Sequence, residues 1–336
     1  AADGDLRGCV ASMMVQAGEN CRGGIWASFA IEDPQWYGTE AGKQVLKNTL
    51  ARMNVPVFLM DGGANFYTSF AGQEIRLGAT VFNAGAKTLD GITVRVEVAG
   101  PDGKIVENVS WSELTFPGGA RVPFDHRWTP QAWPEGGYRV KVMLSQGESI
   151  LDSAEHELHC WKPKESPSFV GIQDGDFILD GQKWRPHGVN YMPSSGVGIE
   201  WQHYFEQWLG PAAYSPRVIQ RDLERCVAMG CNALSIFVYR ESMEAQNLID
   251  LLRRMDALGL KANLSLRPGT PMDLPRDVLR DLITYCRLAE NDTVFAYDLA
   301  WEPQFRDWER DPFNRQWEAW IIERYGSLEN AEKDWG

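Results

Sequence analysis

A glutamate ends an apolar run in the sequence VFAYDLAWEPQF, residues 294–305. The run has the composition of a strand and stops at Trp301-Glu302-Pro303. Burying a carboxylate is costly unless the group is paired, so Glu302 is either solvated at the strand end, where it could cap the next helix, or held there for chemistry. A glutamate partly desolvated beside an indole is suited to general acid catalysis, because burial favours the protonated form. Glu302 is therefore the first candidate catalytic residue.

The elements that would position Glu302 alternate between strand and helix from residue 169 onward. Strands are predicted in WRPHGVNYM, CNALSIFVY, LKANLSL and TVFAYDLAW. Helices are predicted in SPRVIQRDLERCVAMG, SMEAQNLIDLLRRMDALG, LPRDVLRDLITYCRLAE and NRQWEAWIIERYG. Such repetition predicts a parallel sheet covered by helices.

Two architectures fit this alternation, a doubly wound sheet and part of a (β/α)8 barrel. No G-x-G-x-x-G motif follows the first strand, which removes the strongest reason to choose a dinucleotide-binding fold. A whole barrel takes about 250 residues, whereas 168 remain from Phe169 to residue 336. The pattern therefore predicts the first half of a (β/α)8 TIM barrel in residues 169–336, within a fragment of a longer protein.

In a barrel of this kind the active site lies at the carboxyl ends of the strands. Period-two alternation predicts that one set of side chains faces the barrel interior: Ala296, Asp298, Ala300 and Glu302. The opposite set is predicted to face the helices: Phe295, Tyr297, Leu299 and Trp301. Asp298 would lie deeper than Glu302, where a structural, hydrogen-bonded role is expected.

The first half of the chain has a different character. Residues 1–60 suggest the C-terminal remnant of an α/β domain, with strands in ASMMVQAG and GGIWASFAI and a helix opened by Thr39. Residues 64–162 alternate apolar and polar residues between turn clusters, which predicts an immunoglobulin-like β-sandwich. Residues 163–168 contain two prolines and are predicted to be a linker. The sequence therefore predicts a multidomain chain that combines α/β and all-β parts.

Composition excludes several partners. A formal net charge of −13 argues against binding to nucleic acid and against binding to an anionic membrane surface. The sequence contains no run of 18 apolar residues, so no membrane-spanning helix is predicted. His156 and His159 would face opposite sides of a strand, so no metal site is predicted there, and no cofactor is expected. Six sparse cysteines leave the compartment open, with a periplasmic or secreted location favoured over a cytoplasmic one.

Four stretches in order carry a family resemblance: FILDGQKWRPHGVNY, RDLERCVAMGCNALSIF, LIDLLRRMDALGLKANLSL and FAYDLAWEP. Together they resemble the first half of the clan A glycoside hydrolases, retaining (β/α)8 enzymes that include families 2, 5 and 42. The stretch WEAWIIERYGSLENAEKDWG is most similar to family 42. The preceding segments resemble accessory domains of large multidomain glycosidases. The resemblance covers about residues 169–336, half of the chain.

This resemblance implies a glycosidase that cleaves O-glycosidic bonds with retention by two carboxylates. Glu302 matches the general acid/base, Asn190 matches the asparagine of the first-strand motif, and the nucleophile would lie beyond residue 336. The implied partners are an oligosaccharide, polysaccharide or glycoside substrate and the remainder of the same protein, which would complete the barrel. Two positions depart from the pattern. Trp301 replaces an asparagine that contacts the sugar 2-hydroxyl, and Ser235 replaces an arginine found in many members.

Other residues near strand ends are candidates for substrate binding: Asn190, Tyr191, Tyr239, Arg267 and Trp301. Loop packing or a surface salt bridge explains several of them equally well. Glu241 follows the second strand and is read as a surface or substrate-binding residue rather than as the nucleophile. Two alternatives stay open. One is a noncatalytic carbohydrate-binding or scaffold protein with a degenerate barrel, and the other is a lyase that uses Glu302 as a base.

Overall fold

The computed structural model describes residues 11–133, 136–193, 206–211, 213–240, 242–266, 276–300 and 306–336. The chain mixes strands and helices, and its strands form several separate sheets. It divides into two compact units, residues 1–162 and 163–336. Within the ranges given, no helix combines the length and the apolar character needed to cross a membrane.

The first unit begins with a hairpin and a helix. Strands β1 (Ala11–Val15) and β2 (Ile25–Phe29) pair antiparallel as a two-stranded sheet. Helix α1 (Glu40–Met53) follows, and the Thr39 hydroxyl accepts from the Gly42 N–H at 3.0 Å. This bond satisfies one of the free donors of the first helical turn, as expected for a threonine N-cap.

Two sheets make up the rest of the first unit. Their strands are β3 (Val57–Ala64), β4 (Thr68–Phe70), β5 (Ile75–Asn83), β6 (Leu89–Ala99), β7 (Ile105–Phe116), β8 (Arg121–Trp128), β9 (Tyr138–Gln146) and β10 (Ser149–Trp161). The sheet orders are β3-β5-β8 and β4-β10-β9-β6-β7. All pairs are antiparallel except β4 with β10. Strand β3 starts at Val57, so the sheets begin before the predicted boundary at residue 64.

Alternate side chains of both sheets form one buried cluster. Its fully buried members include Ile75, Leu77 and Val81 from β5, Val94, Val96 and Val98 from β6, and Val140, Val142 and Leu144 from β9. The spacing of two along each strand places these side chains on one face. The apolar alternation in the sequence therefore specifies which face of each sheet is covered.

The second unit opens with a small antiparallel sheet. Its strands are β11 (Gly171–Gln173), β12 (Asp176–Leu179) and β13 (Gln182–Lys183). The segment predicted to be a linker is bonded to this unit. The buried Asp292 carboxylate accepts from the Ser168 N–H at 2.8 Å and pairs with the Lys164 ammonium at 3.0 Å.

A four-stranded parallel sheet organises the remainder. Its strands are β14 (Gly188–Tyr191), β15 (Ala233–Phe237), β16 (Lys261–Ser265) and β17 (Val294–Asp298), hydrogen-bonded in the order β14-β15-β16-β17. The helices are α2 (Pro216–Ala228), α3 (Ala245–Ala257), α4 (Arg276–Tyr285), α5 (Asp307–Arg310), α6 (Asn314–Tyr325) and α7 (Leu328–Trp335). The predicted strands are present, but β17 ends at Asp298, before Glu302.

Helical periodicity explains how the helices cover this sheet. On α3 the side chains of Leu248, Leu251, Leu252 and Met255 are fully buried, at the three- and four-residue spacing of one helix face. Helix α3 packs against α2 and against β16. The same helical spacing applies to α2, where Ile219 and Leu223 are buried in the layer between the helices and the sheet.

A buried ion cluster ties α3 to the segment before α2. The Asp250 carboxylate, 0% exposed, accepts from the Tyr214 hydroxyl at 2.6 Å and from Arg254 Nε at 2.7 Å. Arg253 Nη2 donates to the same carboxylate at 2.8 Å. Burial alone would raise the pKa of Asp250, but Arg253 and Arg254 outweigh it and lower the pKa to about 2. The carboxylate is thus held ionised inside the helix layer.

Candidate active site

A row of polar side chains crosses one face of the parallel sheet. The strand register places Asn190 beside Ser235 and Ser235 beside Asn263. Asn263 Nδ2 donates to Ser235 Oγ at 3.3 Å. The row lines a groove of about 410 Å³ together with Gly188 and Ala233, which precede Asn190 and Ser235 by two residues on their strands. Amide and hydroxyl groups thus occupy a face that an apolar core would otherwise fill.

Aromatic side chains form a floor at the end of this groove that lies nearest the amino termini of the parallel strands. Phe295 lines the groove and packs edge-on against Trp184, with ring centroids 5.1 Å apart, and against Phe177 at 6.0 Å. Phe177 belongs to β12, so the small antiparallel sheet supplies part of the floor. Aromatic pairs of this geometry add to the stability that their burial provides.

The position of Phe295 corrects the strict alternation predicted for the fourth strand. The register between β16 and β17 shifts after Ala262, so that Val294 lies opposite Ala262 and Ala296 lies opposite Asn263. Phe295 is the extra residue of this irregularity and reaches the groove instead of the helix layer. A bulge inserts one residue and re-aims its side chain. Because the shift precedes Ala296, Ala296 and Asp298 keep the predicted face.

Above the polar row, toward the carboxyl ends of the strands, Ser265 lies opposite Asp298 in the register. Ser265 is two residues beyond Asn263 and so shares its face. Its side chain is 0% exposed, and its hydroxyl has no hydrogen-bond partner among the described residues. Sequence reasoning missed Asn263 and Ser265. Their signal was two polar residues, two apart, within the apolar strand LKANLSL.

The structure places Tyr191, predicted to bind substrate, outside the set of residues that line the groove. Tyr191 follows Asn190 on β14 and so points to the opposite face of the sheet. Its side chain is 4% exposed and packs edge-on against Trp208, with ring centroids 5.7 Å apart. Burial, together with the nearby Asp222 carboxylate on α2, raises the pKa of Tyr191 well above its ordinary value. Of these two neighbours, Asn190 lines the groove and Tyr191 does not.

Replacement of Tyr191 by phenylalanine is expected to raise the free energy of unfolding by about 1 kcal/mol, since a buried hydroxyl without a partner costs free energy. The Tyr191 hydroxyl has no partner among the described residues. Chemical denaturation of the wild-type protein and of Tyr191→Phe measures the change. A loss of stability would contradict this expectation and show that the hydroxyl is bonded.

The remaining predicted residues divide into two groups. Tyr239 is 5% exposed and lies two residues beyond β15, where its carbonyl oxygen accepts from the N–H groups of Ser242 and Met243. It starts the turn that leads to α3. Arg267, Trp301 and Glu302 lie outside the described residues. Among the residues that are described, no group of three or more histidine, cysteine, aspartate or glutamate side chains could hold a metal ion.

Comparison with known proteins finds partial likeness to one class of enzymes, the glycoside hydrolases. No family model and no curated protein matches the chain. Among solved structures, a β-glucuronidase from glycoside hydrolase family 2 is 16% identical with a TM-score of 0.31, over 72% of this chain and 23% of its own. A β-glucuronidase from Bacteroides uniformis is 17% identical with a TM-score of 0.32, over 80% of this chain and 30% of its own.

A β-D-mannosidase from Dictyoglomus thermophilum is 14% identical with a TM-score of 0.31, over 72% of this chain and 29% of its own. The chain therefore spans less than a third of the length of each of these three enzymes. Likeness of this degree does not assign a family or an activity.

Proposed function

We propose that the chain belongs to a retaining glycoside hydrolase in which residues 169–336 form the first half of a (β/α)8 barrel. Residues 64–162 would form an immunoglobulin-like accessory domain, which the two packed, mainly antiparallel sheets support. Residues 1–60 would be the end of a preceding α/β domain. The remainder of the barrel would come from a later part of a longer protein.

The order of the parallel strands is the observation that carries this proposal. Four successive strands add to the sheet in one direction, β14-β15-β16-β17. A doubly wound sheet reverses that direction at its switch point, whereas a barrel never does. Right-handed crossovers in a sheet that grows in one direction put every helix on the same face. The other face is left for the polar row, as in a barrel interior.

The proposed site chemistry depends on the residues that follow the groove face of β17 in the sequence. The sequence reaches Glu302 four residues after Asp298, which stands at the carboxyl end of β17 on the groove face. Glu302 is proposed as the general acid/base that protonates the glycosidic oxygen, a poor leaving group without a proton. Asn190 is proposed to bind sugar hydroxyls, with Tyr239, Arg267 and Trp301 as further contacts.

A retaining mechanism needs a second carboxylate about 5 to 5.5 Å from the first, which attacks the anomeric carbon. We assign this nucleophile to a later strand of the longer protein. The glycosyl-enzyme then forms as the leaving group departs with the proton of Glu302. In the second step the Glu302 carboxylate takes a proton from water, which attacks the anomeric carbon and releases the sugar.

The stereochemical outcome is the experiment that tests the proposed activity. The full-length protein would be screened against aryl glycosides of several sugars in both anomeric configurations, and the first-formed product would be followed by proton NMR. We expect the anomer released to have the configuration of the substrate. An inverted product would contradict the two-step mechanism, and saturable binding without turnover would favour the noncatalytic carbohydrate-binding alternative.

A further inference from the structure

The carboxyl end of α2 brings two cysteines together. The chain leaves this helix through Gly230, which has a φ of +87°. The Gly230 N–H donates to the Val227 carbonyl oxygen at 2.8 Å, and the Cys231 N–H donates to the Cys226 carbonyl oxygen at 3.0 Å. These two bonds around a left-handed glycine define a Schellman motif, in which the residues at the positions of Cys226 and Cys231 commonly contact each other.

The hydrogen bond between the two cysteines limits the distance that a covalent bridge has to span. Standard bond lengths, the 3.0 Å hydrogen bond and the direction of an N–H away from its own Cα together hold the two Cα atoms at most about 6.5 Å apart. Disulfides connect Cα atoms that are about 4.4 to 6.8 Å apart. The motif therefore keeps Cys226 and Cys231 within the range of a disulfide.

Both thiols are free in this structure, and both are buried. Cys226 continues the buried stripe of Ile219 and Leu223 along α2, and Cys231 lies just before β15. Burial raises the pKa of the Cys226 thiol, and the neighbouring Cys231 thiol raises it further, which places the two sulfur atoms near each other. A thiol of raised pKa is a poor leaving group in thiol–disulfide exchange, so a bridge formed here is slow to open.

We propose that Cys226 and Cys231 form an intrachain disulfide in an oxidising compartment, with a low-molecular-weight disulfide as the oxidant. One cysteine thiolate attacks a sulfur of the small disulfide, which forms a mixed disulfide and releases one small thiol. The second thiolate attacks the protein sulfur of that mixed disulfide and releases the second small thiol. The two cysteines lose two electrons and two protons, and the small disulfide is reduced to two thiols.

The oxidant reaches the pair from the protein surface. Val227 and Met229, which belong to the same motif, are exposed. Helix ends open locally at a small fraction of the free energy of global unfolding. Brief opening of the last turn of α2 is therefore enough to expose a buried thiol to a small disulfide.

The bridge braces the connection from α2 into the parallel sheet. Cys231 is followed by Asn232, whose side-chain oxygen accepts from the His187 N–H at 2.7 Å and whose side-chain nitrogen donates to the Arg185 carbonyl oxygen at 2.9 Å. These bonds hold the entry to β15 against the entry to β14. A covalent bond at Cys231 therefore joins the end of α2 to a segment that is already fixed to the neighbouring strand.

The first test detects the bond itself. The full-length protein would be incubated with oxidised glutathione, denatured, alkylated without reduction and digested with trypsin. Trypsin cuts after Arg225 and Arg240, so both cysteines fall in one peptide, residues 226–240. We expect this peptide to carry no alkyl group and to lack the two thiol hydrogen atoms. A peptide that carries two alkyl groups, or one that retains glutathione, would overturn the proposal.

Cys286 is the control in the same digest. It is fully buried, and burial raises the pKa of its thiol to about 12, so glutathione should not modify it in the folded protein. It falls in a separate tryptic peptide, residues 281–287. We expect that peptide to carry one alkyl group, which shows that the thiols of the denatured protein were fully alkylated.

The second test measures what the bond does. We expect the oxidised wild-type protein to have a Tm about 5 °C above that of the reduced protein, because the bridge restricts the unfolded chain. In Cys231→Ser, which keeps the side-chain size and removes one sulfur, the Tm should be the same under both conditions. Equal Tm values for the oxidised and reduced wild-type protein would overturn the bracing role.

Discussion

Glu302→Gln in the full-length protein is expected to lower kcat on glycosides with poor leaving groups by about 10²- to 10⁴-fold. Glutamine keeps the shape of the side chain and removes the proton that the leaving oxygen needs. Glycosides with good leaving groups need little protonation, so their first step should survive and the glycosyl-enzyme should accumulate. Stopped-flow release of the aglycone separates the two steps, and the alkaline limb of the pH profile should disappear.

Glu241→Gln is the matched comparison, since Glu241 is the other glutamate that follows a predicted strand of residues 169–336. A steep, leaving-group-dependent loss in Glu241→Gln, with Glu302→Gln active, would move the acid to Glu241. An equal loss on activated and unactivated substrates in Glu302→Gln would assign Glu302 to sugar binding or to the fold.

Asp250→Ala is expected to lower the free energy of unfolding of the second unit by about 3 to 5 kcal/mol, because it removes the negative partner of a buried ion pair. Arg254, 5% exposed, and Tyr214, 9% exposed, would both lose their hydrogen bond to the Asp250 carboxylate. Chemical denaturation at neutral pH measures the loss. Asp277→Ala is the control, because the Asp277–Arg280 pair is solvent-exposed on both sides and its removal should change little.

The same cluster predicts a pH dependence of stability. The pKa of Asp250 is lowered from 3.8 to about 2 in the folded protein. A carboxyl whose pKa is lower in the folded protein than in the unfolded chain stabilises the fold at pH values above the unfolded pKa. That stabilisation is lost as the pH falls toward the folded pKa, so the free energy of unfolding should decline between about pH 4 and about pH 2. The shift corresponds to about 2 kcal/mol. In Asp250→Asn this part of the decline should be absent. An identical acid profile in Asp250→Asn would contradict the assignment.

Local pattern made the individual elements predictable. The spacing of Leu248, Leu251 and Met255 specifies the buried face of α3, and Thr39 marks the start of α1. Period-two alternation likewise identifies the buried faces of β5 and β6. These signals depend on neighbours in sequence, which the sequence records directly.

What the sequence left unresolved depends on pairing between distant segments. The bulge at Phe295 arises from the register of β17 against β16, which no local pattern of residues 294–298 reveals. The strand order that separates a barrel from a doubly wound sheet is likewise a long-range property. The burial of Tyr191 against Trp208 is a further contact between distant segments that the sequence pattern does not reveal.

Azide rescue of Glu302→Gln tests the central claim most directly. The glycosyl-enzyme of this variant lacks a base to activate water, but azide is an anion that attacks the anomeric carbon without one. We predict that azide restores turnover of an activated aryl glycoside and that the product is a glycosyl azide with the configuration of the substrate. Hydrolysis that azide does not accelerate, or a glycosyl azide of inverted configuration, would contradict the assignment of Glu302 as the acid/base of a retaining glycosidase.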